Sequence, residues 1–154
     1  MTRIKDWKVE DLTLEQKEIH DTILNGPRGH VVGPLRVWLN NPGLAKSAQT
    51  LGAYARYGSC LPQSLSELAI ITTGRVWSSA FEWLHHAPLA IEGGIDPKHV
   101  ETISFGKRPI FDNVKEQSVF DFAAEANILK NVTDKTYKTL IDNLGDNAAI
   151  DIVG

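Results

Sequence analysis

Apolar residues recur along the chain at intervals of three and four, and two-residue alternation is scarce, so the pattern predicts helices throughout and no sheet. Thr13 can cap a helix carrying Leu14, Ile19, Ile23 and Leu24, which Gly26-Pro27 then stops. Residues 27–33 read as a loop. Gly33-Pro34 opens a short turn holding Leu35, Val37, Trp38 and Leu39. Asn41-Pro42 is a second start signal, with proline at the first helical position. The helix behind it carries Leu44, Ala48, Leu51 and Tyr54 as far as Gly58.

In the second half, Ser64-Leu65-Ser66-Glu67 fits a capping box, in which the serine accepts from the third helical amide and the glutamate reaches back. A helix over 64–77 follows. Ser78-Ser79 offers a break or a new cap before Phe81 to Ala87, and Gly93-Gly94 stops that segment. Asp96-Pro97 starts a short helix with Val100 and Ile103, and residues 105–112 form the loop after it. Two more helices are expected: one near 113–130 with Val119, Phe120, Phe122, Ala123, Ala126 and Leu129 facing inward, and one from Thr133 to Leu144. The tail from Ala148 to Gly154 is apolar. No internal repeat or low-complexity linker argues for a second domain, so a single all-α domain, a bundle or an orthogonal array, is predicted.

Composition narrows the functional classes. The 154 residues suffice for a hydrophobic core without a disulfide or metal staple. Sixteen Lys and Arg against nineteen Asp and Glu give a net charge of −3, and the basic residues are scattered, so no nucleic-acid footprint is present. The longest weakly polar run, Leu68 to Thr73, is too short to span a bilayer. No secretory signal is recognisable near the N-terminus, and cytoplasmic residence is the expectation. The one cysteine, Cys60, excludes an internal disulfide framework and a CxxC pair, and reads as a small buried apolar residue.

Glu82 and His86 are the first candidates for chemistry. Four residues apart on a helix, they differ by only about 40° in direction and can touch. A carboxylate beside an imidazole orients it for general acid or base work, although such pairs also occur as surface contacts worth a few tenths of a kcal/mol. Trp77, Phe81, Trp83, Leu84 and Leu89 surround this pair with apolar bulk. Pro88 should interrupt the helix beside it, which suggests a shaped pocket. His85 points about 100° away from His86 and reads as a surface or interface residue. His20, His30 and His99 lack partners at metal-ligand spacing, so no bound metal is expected.

Glu67-Leu68-Ala69-Ile70-Ile71, Phe81-Glu82-Trp83-Leu84-His85-His86-Ala87-Pro88-Leu89-Ala90 and Gly93-Gly94-Ile95-Asp96 together resemble the core motif of the carboxymuconolactone decarboxylase family, which includes the alkylhydroperoxidase AhpD-like proteins. Gly33-Pro34, Asn41-Pro42-Gly43-Leu44 and Leu51-Gly52 look like its N-terminal part, so the similarity covers most of the chain. The resemblance implies an AhpD-like array of about six to seven helices in one domain, 1–154. Residues 1–30 would be a peripheral helix and loop and 41–130 the core. It also implies a homotrimer or homohexamer, with which an exposed apolar strip from Trp7, Trp38 and the tail would be compatible. Members continue into a further helix beyond the region resembling Ile150 to Gly154.

In the peroxidase branch of that family a glutamate, two cysteines and a histidine form a proton relay, and those positions correspond here to Glu67, then Ser79 and Glu82, then His86. Without the thiols, peroxidase chemistry is excluded. The branch lacking the cysteines implies a cofactor-free lyase or isomerase moving a proton on a small carboxylated or lactone-like substrate. His86 would carry the proton, Glu82 would orient it, and Glu67 would complete the relay or hold substrate, or serve only as the Ser64 helix cap. Trp83 and Phe81 would line the substrate. Arg75 is the preferred carboxylate clamp over Arg36, Arg56 and Lys107-Arg108, since a guanidinium fork matches a carboxylate, and each could equally be a salt-bridging surface residue. The alternative is a non-catalytic or ligand-binding helical oligomer.

Overall fold

The computed structural model describes residues 3–154; Met1 and Thr2, the start of the peripheral segment, lie outside the described residues. Every regular element among the described residues is helical. They number nine α-helices plus a short 3-10 turn, against the six to seven expected. The excess comes from the five-residue Pro34–Trp38 segment and from the tail, which forms a helix of its own. The chain forms two compact units that divide after Gly58.

The first unit contains α1 (Leu14–Asn25), α2 (Pro34–Trp38) and α3 (Pro42–Tyr57). Thr13 and Gln16 make a reciprocal capping box at the start of α1, which satisfies two amides that the helix itself leaves open. The buried face of α1 is Gln16, Ile19 and Ile23, packed with Leu35, Leu39 and Ala45. Gln16 Nε2 donates to the Leu39 carbonyl at 2.8 Å, so its burial leaves that amide satisfied. Leu14 and Leu24 fall off this face and are exposed, and so are Leu44, Leu51 and Tyr54 on α3, whose one buried residue is Ala45. Trp38 packs against this small core, and Trp7 donates its indole N–H to Asn40 Oδ1 at 2.8 Å. Neither contributes the exposed strip expected of it.

The second unit is built around α4 (Gln63–Val76). Eight of its fourteen residues are buried, among them Leu65, Leu68 and Ile71, because it packs against α5 (Ala80–Glu92), α6 (Pro97–Ser104) and α7 (Val114–Ile128). A helix covered on several sides needs apolar or paired residues all round, which explains the weak polarity of 68–73. Then α8 (Asp134–Leu144) packs on α7, and α9 (Asp146–Val153) on α8. In α9, Ala148 and Ala149 are buried and Ile152 meets the core, while Ile150 and Val153 face out. Leu129, expected inward, lies beyond the end of α7 and is exposed.

The turn between α4 and α5 is tight. Trp77 caps α4, Ser78 takes a left-handed conformation with φ of 54°, and the Ser79 amide returns to the Gly74 carbonyl at 2.8 Å while the Ser78 amide returns to Arg75 at 3.1 Å. This paired closure satisfies the last carbonyls of α4. Ser79 then caps α5, accepting from the Glu82 amide. Folded back this way, α5 lies against α4 so closely that a Cβ at Gly74 would sit 3.1 Å from Glu82 Cβ.

Candidate active site

The tight α4–α5 pair brings together three residues that lie far apart or only partly within reach in sequence. His86 Nδ1 is 2.6 Å from Glu67 Oε2, and His86 Nε2 is 3.2 Å from Glu82 Oε2. One imidazole therefore bridges two carboxylates. Glu67, on α4, is 2% exposed and His86 is 7% exposed, while the Glu82 side chain keeps 36% of its surface in water. The set runs from a fully enclosed carboxylate, through the ring, to a carboxylate at the surface.

Glu67 is not a helix cap. Helix α4 begins at Gln63 with Pro62 as its flanking residue and no side-chain capping bond, which places Ser64 inside the helix and leaves Glu67 to bond with His86. Pro88 does not interrupt α5 either. The helix continues to Glu92, and the proline and Leu84, whose carbonyl loses its partner, are both on the exposed side where water can replace the bond.

The Glu67 contact constrains the tautomer. An ionised carboxylate only accepts hydrogen bonds, so this contact requires the hydrogen on Nδ1 when Glu67 is charged. Nε2 is left facing Glu82 at ion-pair distance, on the side of the carboxylate that reaches water. Buried Glu67 holds the imidazole in one orientation, the role that a carboxylate plays behind a working histidine.

Of the remaining candidates, Trp83 packs against the main core and Phe81 is exposed, stacked on His85 with ring centroids 6.2 Å apart. His85 in turn meets His86 edge-on at 4.9 Å. Arg75 is not placed with the triad. Its Nε donates to the Ser104 carbonyl at 2.8 Å, and it lines a cavity of which Glu67, Glu82 and His86 form no part. Arg36 pairs with Asp6 and Arg108 with Asp121, each at the surface. Arg56 lies over the Tyr57 ring and Lys107 over that of Phe105.

Cys60 is exposed rather than buried. Partial shielding from water and the neighbouring Asp151 carboxylate push its thiol above the ordinary value, which makes it a poor nucleophile near neutral pH. Among the described residues no group of three His, Cys, Asp or Glu side chains is arranged to hold a metal ion. Glu67 and Glu82 approach opposite nitrogens of one ring, so their oxygens do not converge on a point. Among the described residues, no helix is long and apolar enough to cross a membrane.

Neither a scan against protein-family models nor a search of curated proteins returns a match to this chain.

Proposed function

We propose that the chain is a lyase or isomerase that performs acid–base chemistry on a small carboxylated or lactone-like substrate, with Glu67, His86 and Glu82 as its proton relay. What supports this reading is the bridging imidazole, with contacts of 2.6 and 3.2 Å on its two nitrogens and one carboxylate reaching water. A buried charged pair is weak evidence of stability, because well-packed apolar residues of similar volume often do as well or better. Its presence therefore favours a chemical use. In this reading Glu67 fixes the ring, and the hydrogen shared by His86 Nε2 and Glu82 Oε2 is exchanged with substrate. Isomerisation removes a proton from one carbon and returns it to another. Decarboxylation breaks the bond to the carboxylate, releases CO2, leaves the electron pair on the carbonyl-conjugated carbon, and quenches it with the shared proton. The step uses only these side chains, without a cofactor.

Incubating carboxylated lactones and keto acids with the protein in D2O, followed by mass spectrometry, tests this. Deuterium incorporation or CO2 loss should appear, and Glu82→Gln and His86→Ala should each slow it by about 10²–10⁴-fold. Equal rates in the variants would remove the proposed roles.

A second reading, a non-catalytic or ligand-binding helical oligomer such as a trimer or hexamer, is favoured by the exposed Phe81, Leu84 and Ile91 on α5. There the triad would serve to lock α5 against α4. Two measurements separate the readings: on this one Leu84→Glu should dissociate the oligomer in sedimentation, and the substrates above should show no turnover for Glu82→Gln to slow.

A further inference from the structure

Helices α4, α6, α7 and α8 contribute the walls of a cavity of about 590 Å3. This is within the size range of small-molecule sites. Its inner surface includes the buried Ile103 and Phe120, so it offers an apolar body to any occupant. Its charges are unevenly spent. Both nitrogens of the Arg108 fork go to Asp121, at 3.0 and 2.7 Å, and Glu125 accepts the Thr133 amide at 2.8 Å and the Thr136 hydroxyl at 2.6 Å. The two carboxylates on the wall are thus satisfied by the protein itself.

Arg75 and Lys107, on the same wall, are not ion-paired among the described residues. Half-buried Arg75 uses Nε on the Ser104 carbonyl and makes no ion pair among the described residues, so its terminal nitrogens carry an unmatched charge. Gly106 is where the guanidinium comes to rest: a Cβ there would meet Arg75 Nη2 at 3.1 Å, and its φ of 68° disfavours any side chain. Lys107, beside it, also makes no ion pair.

We propose that this cavity is a second binding site, independent of the proton-transfer reading, for a small organic anion with an apolar body and a carboxylate head, recognised by Arg75 with Lys107 beside it. The test uses 1-naphthoate and its neutral counterpart 1-naphthalenemethanol, titrated into the full chain by calorimetry and by amide NMR. Naphthoate should saturate, shift the Gly106 and Ala124 amides, and bind about ten- to a hundredfold tighter than the alcohol, the range for a charge-assisted contact. Arg75→Gln should bring the acid down to the alcohol's affinity, and Lys107→Glu, an exposed change that keeps the fold, should weaken the acid alone. Glu82→Gln should bind as the unaltered protein does, which separates this site from the triad. Equal affinity for acid and alcohol, no saturable binding at millimolar concentration, or affinity unmoved by Lys107→Glu would overturn the proposal.

Discussion

Replacing His86 with alanine removes a partner 2.6 Å from a carboxylate on a residue that is 2% exposed, and its cost can be estimated from that burial. Little water reaches the contact to screen it, since the two side chains retain 9% and 3% of their surface. Breaking a buried pair by deleting one member costs about 3–5 kcal/mol, a large share of the roughly 5–15 kcal/mol that holds a domain folded. With a urea dependence of about 2 kcal/mol per molar, the midpoint of unfolding should fall by roughly 1.5–2.5 M. Helical circular dichroism in urea is the assay. The double variant Glu67→Met/His86→Leu is the control, because replacing both members by apolar groups of similar bulk should restore stability to within about 1 kcal/mol of the original. A midpoint loss in His86→Ala below about 0.5 M, or a double variant as unstable as the single, would show that the buried pair does not carry this energy.

Three further outcomes are expected. Ser78→Gly should raise stability by about 0.5–1 kcal/mol, since φ of 54° at the α4–α5 turn strains any residue with a Cβ; a melting temperature that falls would contradict it. Burial pushes the Glu125 carboxyl up, but hydrogen bonds from Thr136 and Thr133 outweigh it and hold the group below its ordinary 4.5. Its contribution is therefore complete above that value and is lost as pH falls through the lower folded-state value, so the stability gap to Glu125→Gln should be level from about pH 7 to 5 and close in stronger acid. For Cys60, the raised thiol predicts slow alkylation by iodoacetamide near neutral pH, and Asp151→Asn should speed it by removing a neighbouring negative charge.

Helix starts and stops were legible because single residues set them. Thr13, Asn41, Ser79, Asp96 and Thr133 each cap a helix as their positions suggest. What each helix face meets was less legible. Periodicity marked Leu44, Leu51 and Tyr54 as a stripe, yet only Ala45 on α3 is buried, because a stripe in sequence says nothing about whether a partner covers it. The site divides along the same line. The Glu82–His86 contact follows from four-residue spacing, but the Glu67–His86 contact joins residues 19 apart and exists because Ser78 and Gly74 let α5 fold tightly onto α4. Arg75 follows Gly74 directly, yet lines a cavity that excludes the triad, and no local pattern signals that.

On the proposed function, Glu67, His86 and Glu82 share protons as one connected unit. Nitrogen-15 NMR of the His86 imidazole tests it most directly, because each ring nitrogen reports whether it carries hydrogen. Nδ1 should show a hydrogen-bearing signal that moves in Glu67→Gln, and Nε2 a distinct signal that moves in Glu82→Gln. An Nδ1 without hydrogen, or ring signals indifferent to both substitutions, would contradict the relay.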